Sequence, residues 1–273
     1  MIRRALDEDA ADRDITSAVL FQKPKTAQAV IISGEEGVLC GVTIAMAVFV
    51  MRNSGIKFMP LAMDGEPIRP EQQIAYIEGD AKAILSAERT ALNFLSRLSG
   101  ISTLTAEFVE AIRPYRTKIM DTRKTTPGLR ILEKYAVKAG GGTNHRIGLH
   151  DQVLIKDNHL AATGYNWDAV ARAVKSCQRK KIKAEIEVQD LNQFNEALKI
   201  NPDIIMLDNM DLKEIRSAVA LRDKYRHGLR LEVSGGVNLN NVKKMASTGV
   251  EMISIGALTH SVKSIDFSLE IVR

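Results

Sequence analysis

The chain has few of the features that mark secreted, membrane-spanning or metal-stapled proteins. Among its 273 residues only two are cysteine, Cys40 and Cys177, and they form neither a zinc-binding spacing nor a disulfide framework. No apolar run is long enough to cross a bilayer, and the opening segment MIRRALDEDAADRD lacks the apolar core of a signal peptide. We therefore expect a protein of the reducing cytoplasm with no membrane partner.

Aromatic residues are also scarce, at 5% of the chain, and this scarcity bears on the meaning of the net charge of +5. A basic protein can be a nucleic-acid binder, but this one has few side chains that could stack on bases, and it contains no recognised nucleic-acid-binding module. The densest run of positive charge, Arg179 to Lys183, is more typical of a solvated helix end. We expect no nucleic-acid partner.

The first part of the chain, residues 1–104, has mixed strand and helix patterning. Strand-like stretches bounded by turn residues occupy residues 27–39, 56–62 and 73–85. Ser86 is then an expected helix N-cap, and Leu92, Leu95 and Leu98 share one face of the helix that follows. This pattern predicts an open-faced α+β sandwich, against which residues 262–273 are expected to pack.

From residue 105 to 261 the pattern changes to a regular alternation of strands and helices. The predicted strands are residues 118–122, 153–157, 182–188, 203–208, 230–234 and 252–256. Such alternation implies parallel strands joined by right-handed crossovers. A full eight-fold barrel typically needs about 250 residues, so we predict a small parallel α/β barrel, incomplete if six is the full count of its strands.

Two of these strands alternate charged and apolar residues. Glu185 and Glu187 share one face of their strand, and Glu232 lies on a corresponding face two strands later. A strand covered on both faces by apolar layers would be apolar throughout. One face of this sheet is therefore expected to meet a polar interior that leads to an active site.

The segment from Asp121 to Leu160 carries an unusual density of cations at places where the chain turns. Arg123 and Lys124 follow a strand, His145 and Arg146 follow a triple glycine, and Lys156 ends the next strand. The carboxyl ends of strands are where α/β barrels carry their chemistry. So many charge-assisted donors together predict a site that holds several anionic groups at once.

Lys156 and the nearby carboxylates each admit two interpretations. Lys156 could donate to an anion or act as a Schiff-base nucleophile, as in barrel aldolases. Glu185 and Asp208 lie on different strands and could neutralise the cations in a structural network. Alternatively they could hold Mg²⁺, which prefers one or two carboxylates together with substrate phosphate oxygens and water.

Two glycine-containing loops follow the last two strands. Ser234, Gly235 and Gly236 precede a helix, and Gly256 and Ala257 follow the final strand. Backbone N–H groups at such turns point at an anion without the help of a side chain. Phosphate-binding loops after the last two strands recur in α/β barrels, so these loops predict a phosphate cradle.

The chain resembles the quinolinate phosphoribosyltransferase family in a series of motifs that occur in order along nearly its whole length. They are SAERTALNFLSRLSGI, DTRKTTPGLR, GGGTNHRIGL, LIKDNH, EIEVQ, IIMLDN, LEVSGG and ISIGALTHS. Members of the family join quinolinate to 5-phosphoribosyl-1-diphosphate (PRPP), giving nicotinate mononucleotide, CO₂ and diphosphate. The resemblance implies an enzyme of de novo NAD biosynthesis that uses Mg²⁺ and works as a homodimer, or as a larger assembly of dimers, with shared active sites.

The resemblance also implies a role for each candidate residue. Quinolinate would be bound by Thr122, Arg123, His145, Arg146 and Lys156, together with Arg89 from the neighbouring subunit. The catalytic residues would be Lys124, Lys156, Glu185 and Asp208, of which Glu185 and Asp208 would hold Mg²⁺ directly or through water. The 5-phosphate would be held by Ser234, Gly235, Gly236, Gly256 and Ala257.

One departure from the family pattern is visible. The opening EDAADRDITSAVL has the family's acidic start and its Asp-Ile-Thr, but Ala10, Ala11 and Arg13 stand where glycines are usual. The departure concerns the first turn of the chain and not the candidate site.

Three other activities are alternatives. A paralogue of the same fold, associated with molybdate transport operons, would use another acceptor, and a nicotinate phosphoribosyltransferase would need to clamp only one carboxylate. A Schiff-base aldolase would be trapped by borohydride at Lys156.

Overall fold

The computed structural model describes residues 1–226 and 228–272. Its helices are α1 (Ile2–Glu8), α2 (Ile15–Leu20), α3 (Val42–Arg52), α4 (Ala81–Ala111), α5 (Arg130–Ala139), α6 (Asp157–Ala162), α7 (Trp167–Arg179), α8 (Leu191–Ile200), α9 (Leu212–Tyr225), α10 (Val242–Ala246) and α11 (Ala257–His260). Its strands are β1 (Thr26–Ser33), β2 (Gly37–Val38), β3 (Lys57–Pro60), β4 (Pro67–Ile68), β5 (Gln73–Asp80), β6 (Lys118–Met120), β7 (Val153–Ile155), β8 (Ala184–Val188), β9 (Ile204–Asp208), β10 (Arg230–Ser234), β11 (Met252–Ser254) and β12 (Phe267–Ile271).

The chain divides into two compact units. The first contains residues 1–106, residues 126–141 and the stretch from Ser261 onward, and the second contains residues 107–125 and 142–260. The domain limits inferred from the sequence, 1–104 and 105–261, stay a prediction. Although α4 is 31 residues long, no helix in the described part of the chain combines the length and the apolarity needed to cross a membrane.

The first unit is built on a four-stranded antiparallel sheet with the order β12-β1-β5-β3. Strand β1 pairs with β5 on one side and with the C-terminal β12 on the other. The predicted leucine stripe of α4 is confirmed, because Leu92, Leu95 and Leu98 are all buried. Burying a leucine side chain stabilises the fold by roughly 1.5–3 kcal/mol, so this stripe is a main attachment of α4 to the core of the unit.

The start of α4 differs from the prediction. The helix begins at Ala81, and the side chain of Asp80 caps it by accepting a hydrogen bond from the N–H of Ala83 at 3.0 Å. Ser86 lies inside the helix, where its buried hydroxyl accepts a hydrogen bond from Nε of Arg52 at 2.8 Å. The N-cap prediction for Ser86 was therefore wrong, because periodicity cannot separate the short apolar run before Ser86 from the end of a strand.

The second unit is a six-stranded parallel sheet, and it contains all six strands predicted from residue 105 onward. The strand order is β6-β11-β10-β9-β8-β7. This order is the sequential winding of a barrel that is left open between β6 and β7, which confirms the expected α/β class. Because all the strands run in the same direction, their carboxyl ends meet at one edge.

Candidate active site

The register of the parallel sheet places the predicted site residues on one face. Ser234 on β10 is aligned with Asp208 on β9, and Glu187 on β8 is aligned with Met206 on β9. Since aligned residues of parallel strands point to the same face and alternate residues share it, Glu187, Asp208 and Ser234 all face the same space. They also lie at or near the carboxyl ends of their strands, at the position predicted for the chemistry.

A cavity of about 720 Å³ opens at this edge of the second unit. It is lined by Thr122, Arg123, Lys124, His145, Arg146, Leu154, Lys156, Asp157, Glu187, Met206, Asp208, Asn209, Ser234, Gly235, Gly236, Val237, Ser254, Ile255, Gly256, Ala257 and His260. The structure thus brings together every predicted site residue except two. Glu185 lies beneath the wall, and Arg89 is an exposed residue of α4 in the first unit.

The loop after β6 is held in place by backbone and side-chain hydrogen bonds on both sides of its cations. The hydroxyl of Thr122 accepts a hydrogen bond from the N–H of Lys124 at 3.1 Å, and the Lys124 carbonyl accepts one from the Thr259 hydroxyl at 2.7 Å. The Nε atom of Arg123 is buried and has no hydrogen-bond partner among the residues that the structure describes. A buried donor of this kind suits a ligand oxygen, because a buried N–H without a hydrogen bond lowers stability.

Arg146 lies close to Arg123, and the charge of one guanidinium disfavours that of the other. Burial lowers the pKa of Arg146, and the neighbouring charge of Arg123 lowers it further. Arg146 is nevertheless anchored, since its Nη1 donates to the carbonyl of Gln152 at 3.1 Å. Two guanidiniums held together at a cavity indicate a site for an anion that compensates both.

His145 lines the cavity and lies between two buried carboxylates. Its Nε2 lies 3.1 Å from Oε2 of Glu185 and 3.5 Å from Oε1 of Glu232. Burial opposes a charge on the imidazole, whereas the hydrogen bonds to Glu185 and Glu232 favour one and raise the pKa of His145. Nδ1 of His145 accepts the N–H of Arg146 at 2.8 Å, so the imidazole proton resides on Nε2 and faces the carboxylates. A second proton on Nδ1 would break that hydrogen bond, which opposes the rise in pKa.

The two carboxylates beside His145 share a water-poor space. Burial, followed by the charge of Glu232, raises the pKa of Glu185 to about 7. Oε2 of Glu185 accepts a hydrogen bond from Nε2 of Gln152 at 2.6 Å. Two carboxylates this close and this buried cannot both ionise freely, so the cluster holds a proton at neutral pH. The cluster orients the ring of His145. The backbone of His145 is held separately, because its N–H donates to the buried Asp121 at 2.9 Å.

Lys156 forms an ion pair across neighbouring strands. Its Nζ lies 2.5 Å from Oε2 of Glu187, a side chain that is almost fully buried while that of Lys156 is 44% exposed. Both residues line the cavity. The ammonium is therefore held in place while keeping donors for a ligand, which favours the anion-binding interpretation of Lys156.

The two glycine loops also line the cavity. Gly235 and Gly236 both have the positive φ that favours glycine, at 90° and 60°. A Cβ atom at Gly256 would lie 3.0 Å from Nε2 of His260 and 3.0 Å from Cδ of Lys124, so both side chains lie against this glycine. Exposed backbone N–H groups with adjacent cations are a suitable cradle for a phosphate.

Sequence reasoning missed several cavity residues, among them Ser254 and His260. The Ser254 hydroxyl is buried without a hydrogen-bond partner in the described part of the chain. His260 follows Gly256 by four residues, and only the short turn of α11 brings it back to the glycine. Neither residue has a distinguishing neighbour pattern, whereas Glu187 was expected on the polar face from its alternation with Glu185.

Two carboxylate sets could hold a metal ion. His145, Glu185 and Glu232 offer ligand atoms within 4.8 Å of one another, but they are buried and already face each other. Asp208 is half-buried at the cavity, where its carboxylate could meet a hydrated cation and substrate oxygens, the ligand set that Mg²⁺ prefers. The donor chemistry at Asp208 therefore fits Mg²⁺, while Oε2 of Glu185 is already held by Gln152 and His145.

The whole chain matches a known family. The sequence model of the quinolinate phosphoribosyl transferase N-terminal domain matches residues 14–99, and that of the C-terminal domain matches residues 101–270. The chain belongs to the quinolinate phosphoribosyltransferase family.

Relatives and solved structures agree with this membership. Nicotinate-nucleotide pyrophosphorylase (carboxylating) of Mycobacterium leprae (strain TN) is 41% identical over 273 residues, which cover 99% of this chain and 95% of that protein. The structure of the nicotinate-nucleotide pyrophosphorylase from Francisella tularensis superposes with a TM-score of 0.91 at 40% identity, covering 99% of this chain and 94% of that one. The NadC structure from Streptococcus pyogenes has a TM-score of 0.92 at 38% identity and covers 100% of this chain and 96% of that one. The chain thus shares both domains and nearly its full length with these proteins.

Proposed function

We propose that this chain transfers the phosphoribosyl group of PRPP to quinolinate with loss of CO₂, forming nicotinate mononucleotide and diphosphate in de novo NAD biosynthesis. The observation that carries the proposal is a single cavity lined by Arg123, Arg146 and Lys156 together with two glycine loops. The two substrates bring a phosphate, a diphosphate and two carboxylates into one space. At about 4 Å each unlike charge pair is worth roughly 4 kcal/mol at an effective dielectric near 20, so the cations offset a strong repulsion.

The quinolinate end of the cavity is assigned to the cations on the β6 and β7 side. Arg123 and Arg146 would clamp the carboxylates, Thr122 and His145 would complete the pocket wall, and Lys156 would stand beside the acid with its position set by Glu187. Planar guanidinium forks match carboxylates with paired hydrogen bonds. A dicarboxylate therefore suits this end better than a monocarboxylate does.

The PRPP end is assigned to β9, β10 and β11. Ser234, Gly235, Gly236, Gly256 and Ala257 would hold the 5-phosphate through their backbone N–H groups, and Lys124 would bind the diphosphate. Mg²⁺ would be held at Asp208, directly or through water, and when bound it neutralises charge on the diphosphate. Glu185, the other predicted metal residue, would act from beneath the wall through His145.

The chemistry needs no protein nucleophile. The pyridine nitrogen attacks the anomeric carbon of PRPP, the bond from that carbon to the diphosphate oxygen breaks, and the nitrogen becomes cationic. The bond between C2 and its carboxylate then breaks, the electron pair is stabilised by the ring nitrogen, CO₂ leaves, and C2 takes up a proton. The residues contribute by orienting both substrates and by stabilising the leaving diphosphate.

The assembly and setting are also part of the proposal. We place Arg89, which is exposed on α4, at the quinolinate pocket of a second copy in a homodimer. Mixing Arg89→Ala protein with Arg123→Ala protein would then restore up to about a quarter of wild-type activity, because half of the dimers are mixed and each contains one intact site. No recovery on mixing would rule out shared sites. The free thiols of Cys40 and Cys177 suit a reducing cytoplasm.

The test of the activity is nicotinate mononucleotide formation by purified protein given PRPP, Mg²⁺ and quinolinate, with nicotinate as the control acceptor. Product from quinolinate alone, with an equal amount of CO₂, supports the proposal. Product from nicotinate would point to the single-carboxylate enzyme, and no product from either acid would point to a paralogue with another acceptor. A borohydride-stable adduct at Lys156 would instead support Schiff-base chemistry.

A further inference from the structure

Asn209 connects two parts of the cavity that lie on different strands. It follows Asp208 directly at the end of β9, and its own N–H donates to the carbonyl of Ser234 at the end of β10 at 2.9 Å. Its Nδ2 donates to Oδ2 of Asp208 at 2.8 Å. One residue therefore bonds both the carboxylate on β9 and the start of the glycine loop on β10.

The backbone of Asn209 has a conformation that few side chains tolerate. Its φ is 56°, in the left-handed region, which asparagine enters more readily than other residues with a Cβ atom. Met210, which follows it, and Leu207, two residues before it, are buried and hold the turn in place. A left-handed residue at a cavity is a sign of a conformation kept for its geometry.

The carboxamide of Asn209 rests directly on the backbone of Gly235. A Cβ atom at Gly235 would overlap both Oδ1 and Cγ of Asn209. Gly235 thus leaves room for the Asn209 side chain as well as supplying the positive φ of the loop. The amide group therefore contacts the Asp208 carboxylate and the Gly235 loop at the same time.

We propose that Asn209 is a positioning residue that fixes the separation between the Asp208 carboxylate and the Ser234–Gly236 loop. The inference rests on the proposed function, which puts the diphosphate end of PRPP at Asp208 and the 5-phosphate at the loop. The distance between those ends is set by the substrate, so the protein must match it. Asn209 fixes this distance through two hydrogen bonds, one from its amide to Asp208 and one from its backbone N–H to Ser234.

A merely structural role for Asn209 makes a different prediction. If only the left-handed backbone mattered, glycine would serve as well or better, because it adopts positive φ without a penalty. Asn209→Gly therefore removes the amide and keeps the conformation. Asn209→Asp keeps the shape of the side chain and its tolerance of positive φ, but it replaces the donor that holds Asp208 by an acceptor.

The experiment is a calorimetric titration of PRPP with Mg²⁺ into the full chain, combined with steady-state kinetics for both substrates. We expect Asn209→Gly and Asn209→Asp to weaken PRPP binding by about tenfold, equivalent to about 1.4 kcal/mol. The KM for quinolinate should change by less than about twofold and the melting temperature should stay the same, because the loss is confined to one end of the cavity. Asn201→Gly is the matched control, since Asn201 is also left-handed, with a φ of 59°, at the end of α8.

The possible outcomes separate this inference from the proposed function. PRPP binding that is unchanged in Asn209→Gly would overturn the positioning role. The same conclusion would follow if both KM values rose together with a lower melting temperature. If the wild-type protein binds PRPP but does not convert quinolinate, quinolinate is not the acceptor, and the Asn209 variants still test the positioning role. If the wild-type protein binds no PRPP, both the proposed function and the positioning role are overturned.

Discussion

The Nε2 atom of His145 lies 3.1 Å from Oε2 of Glu185, and neither side chain is more than 7% exposed. With Glu232 alongside, this pair forms an ionisable cluster of which His145 lines the cavity. Its geometry fixes the ring of His145 from both nitrogens, since the backbone of Arg146 donates to Nδ1. The cluster therefore links the stability of the fold to the shape of the cavity.

Glu185 is expected to make the fold less stable as pH rises through the neutral range. Its folded-state pKa of about 7, raised by burial and by Glu232, exceeds the ordinary value of 4.5. Between about pH 4.5 and 7 the folded state then binds more protons than the unfolded state, so the free energy of unfolding falls as pH increases. Glutamine resembles the protonated form, and Glu185→Gln should gain stability relative to wild type on the order of 2 to 3 kcal/mol from pH 5 to pH 8.

The measurement is the difference in melting temperature between Glu185→Gln and wild type at each pH. Glu110→Gln is the control, because Glu110 is a largely exposed partner of Arg113 and its difference should stay flat across the range. A Glu185→Gln difference that is the same at pH 5 and at pH 8 would contradict a raised pKa.

Arg123→Ala should abolish most turnover without unfolding the protein. Removing one partner of a buried, hydrogen-bonded charge pair costs about 2–5 kcal/mol, so kcat/KM for quinolinate should fall by roughly 30- to 5000-fold. Arg116→Ala, an exposed arginine before β6, is the matched control and should leave both activity and melting temperature unchanged. Unchanged kcat/KM in Arg123→Ala would remove this residue from the site.

Most of the candidate site could be predicted because its residues are charged side chains or loop glycines and follow the ends of strands. Arg123, Lys156 and Asp208 were predicted as site residues from residue type and position alone, and the parallel sheet brings them to one cavity because strand direction sets where the ends meet. What could not be predicted depends on how far each strand reaches toward the cavity and on tertiary contacts. Glu187 and not Glu185 reaches the cavity, because two residues further along a strand is a rise of about 6.6 Å.

Local ambiguity accounts for the remaining misses. The Ala81–Leu85 run has no turn residue that separates strand from helix, so the N-cap of α4 was placed six residues late, at Ser86 instead of Asp80. Asn209 has no signal as a positioning residue in the sequence, because its meaning depends on Gly235 of the next strand. The role of a side chain that contacts another loop can be inferred only once the position of that loop is known.

Gly256→Ala should weaken PRPP binding while leaving the fold intact. The φ of Gly256 is not in the glycine-favouring region, so alanine fits the backbone, but its Cβ would press on His260 and Lys124 at 3.0 Å each. Both are flexible side chains that can move, and the cost is a displaced phosphate cradle. We expect the KM for PRPP to rise by about 10-fold, since misplacement by about 1 Å can cost up to 10²-fold.

The control for Gly256→Ala is Gly228→Ala. A Cβ atom at Gly228 meets no heavy atom within 4 Å, so this substitution should change neither the KM for PRPP nor that for quinolinate. Equal KM values for PRPP in Gly256→Ala and wild type would mean that the 5-phosphate binds elsewhere.

Ala10→Gly should stabilise the chain. Ala10 has a φ of 50° and a ψ of 38° at the turn before the short 3₁₀ helix Ala11–Arg13, at a place where the family usually has glycine. A left-handed conformation costs a residue with a Cβ atom about 1–2 kcal/mol, whereas the extra freedom of glycine in the unfolded chain costs about 0.4–1 kcal/mol. The net expectation is a gain of about 0.5–1 kcal/mol, seen as a higher urea midpoint with an unchanged slope. Ala11→Gly applies the same chemical change to a buried residue one position later and should lower the midpoint. A gain in both variants, or in neither, would show that the backbone at Ala10 is not strained, because only the position with positive φ should reverse the sign.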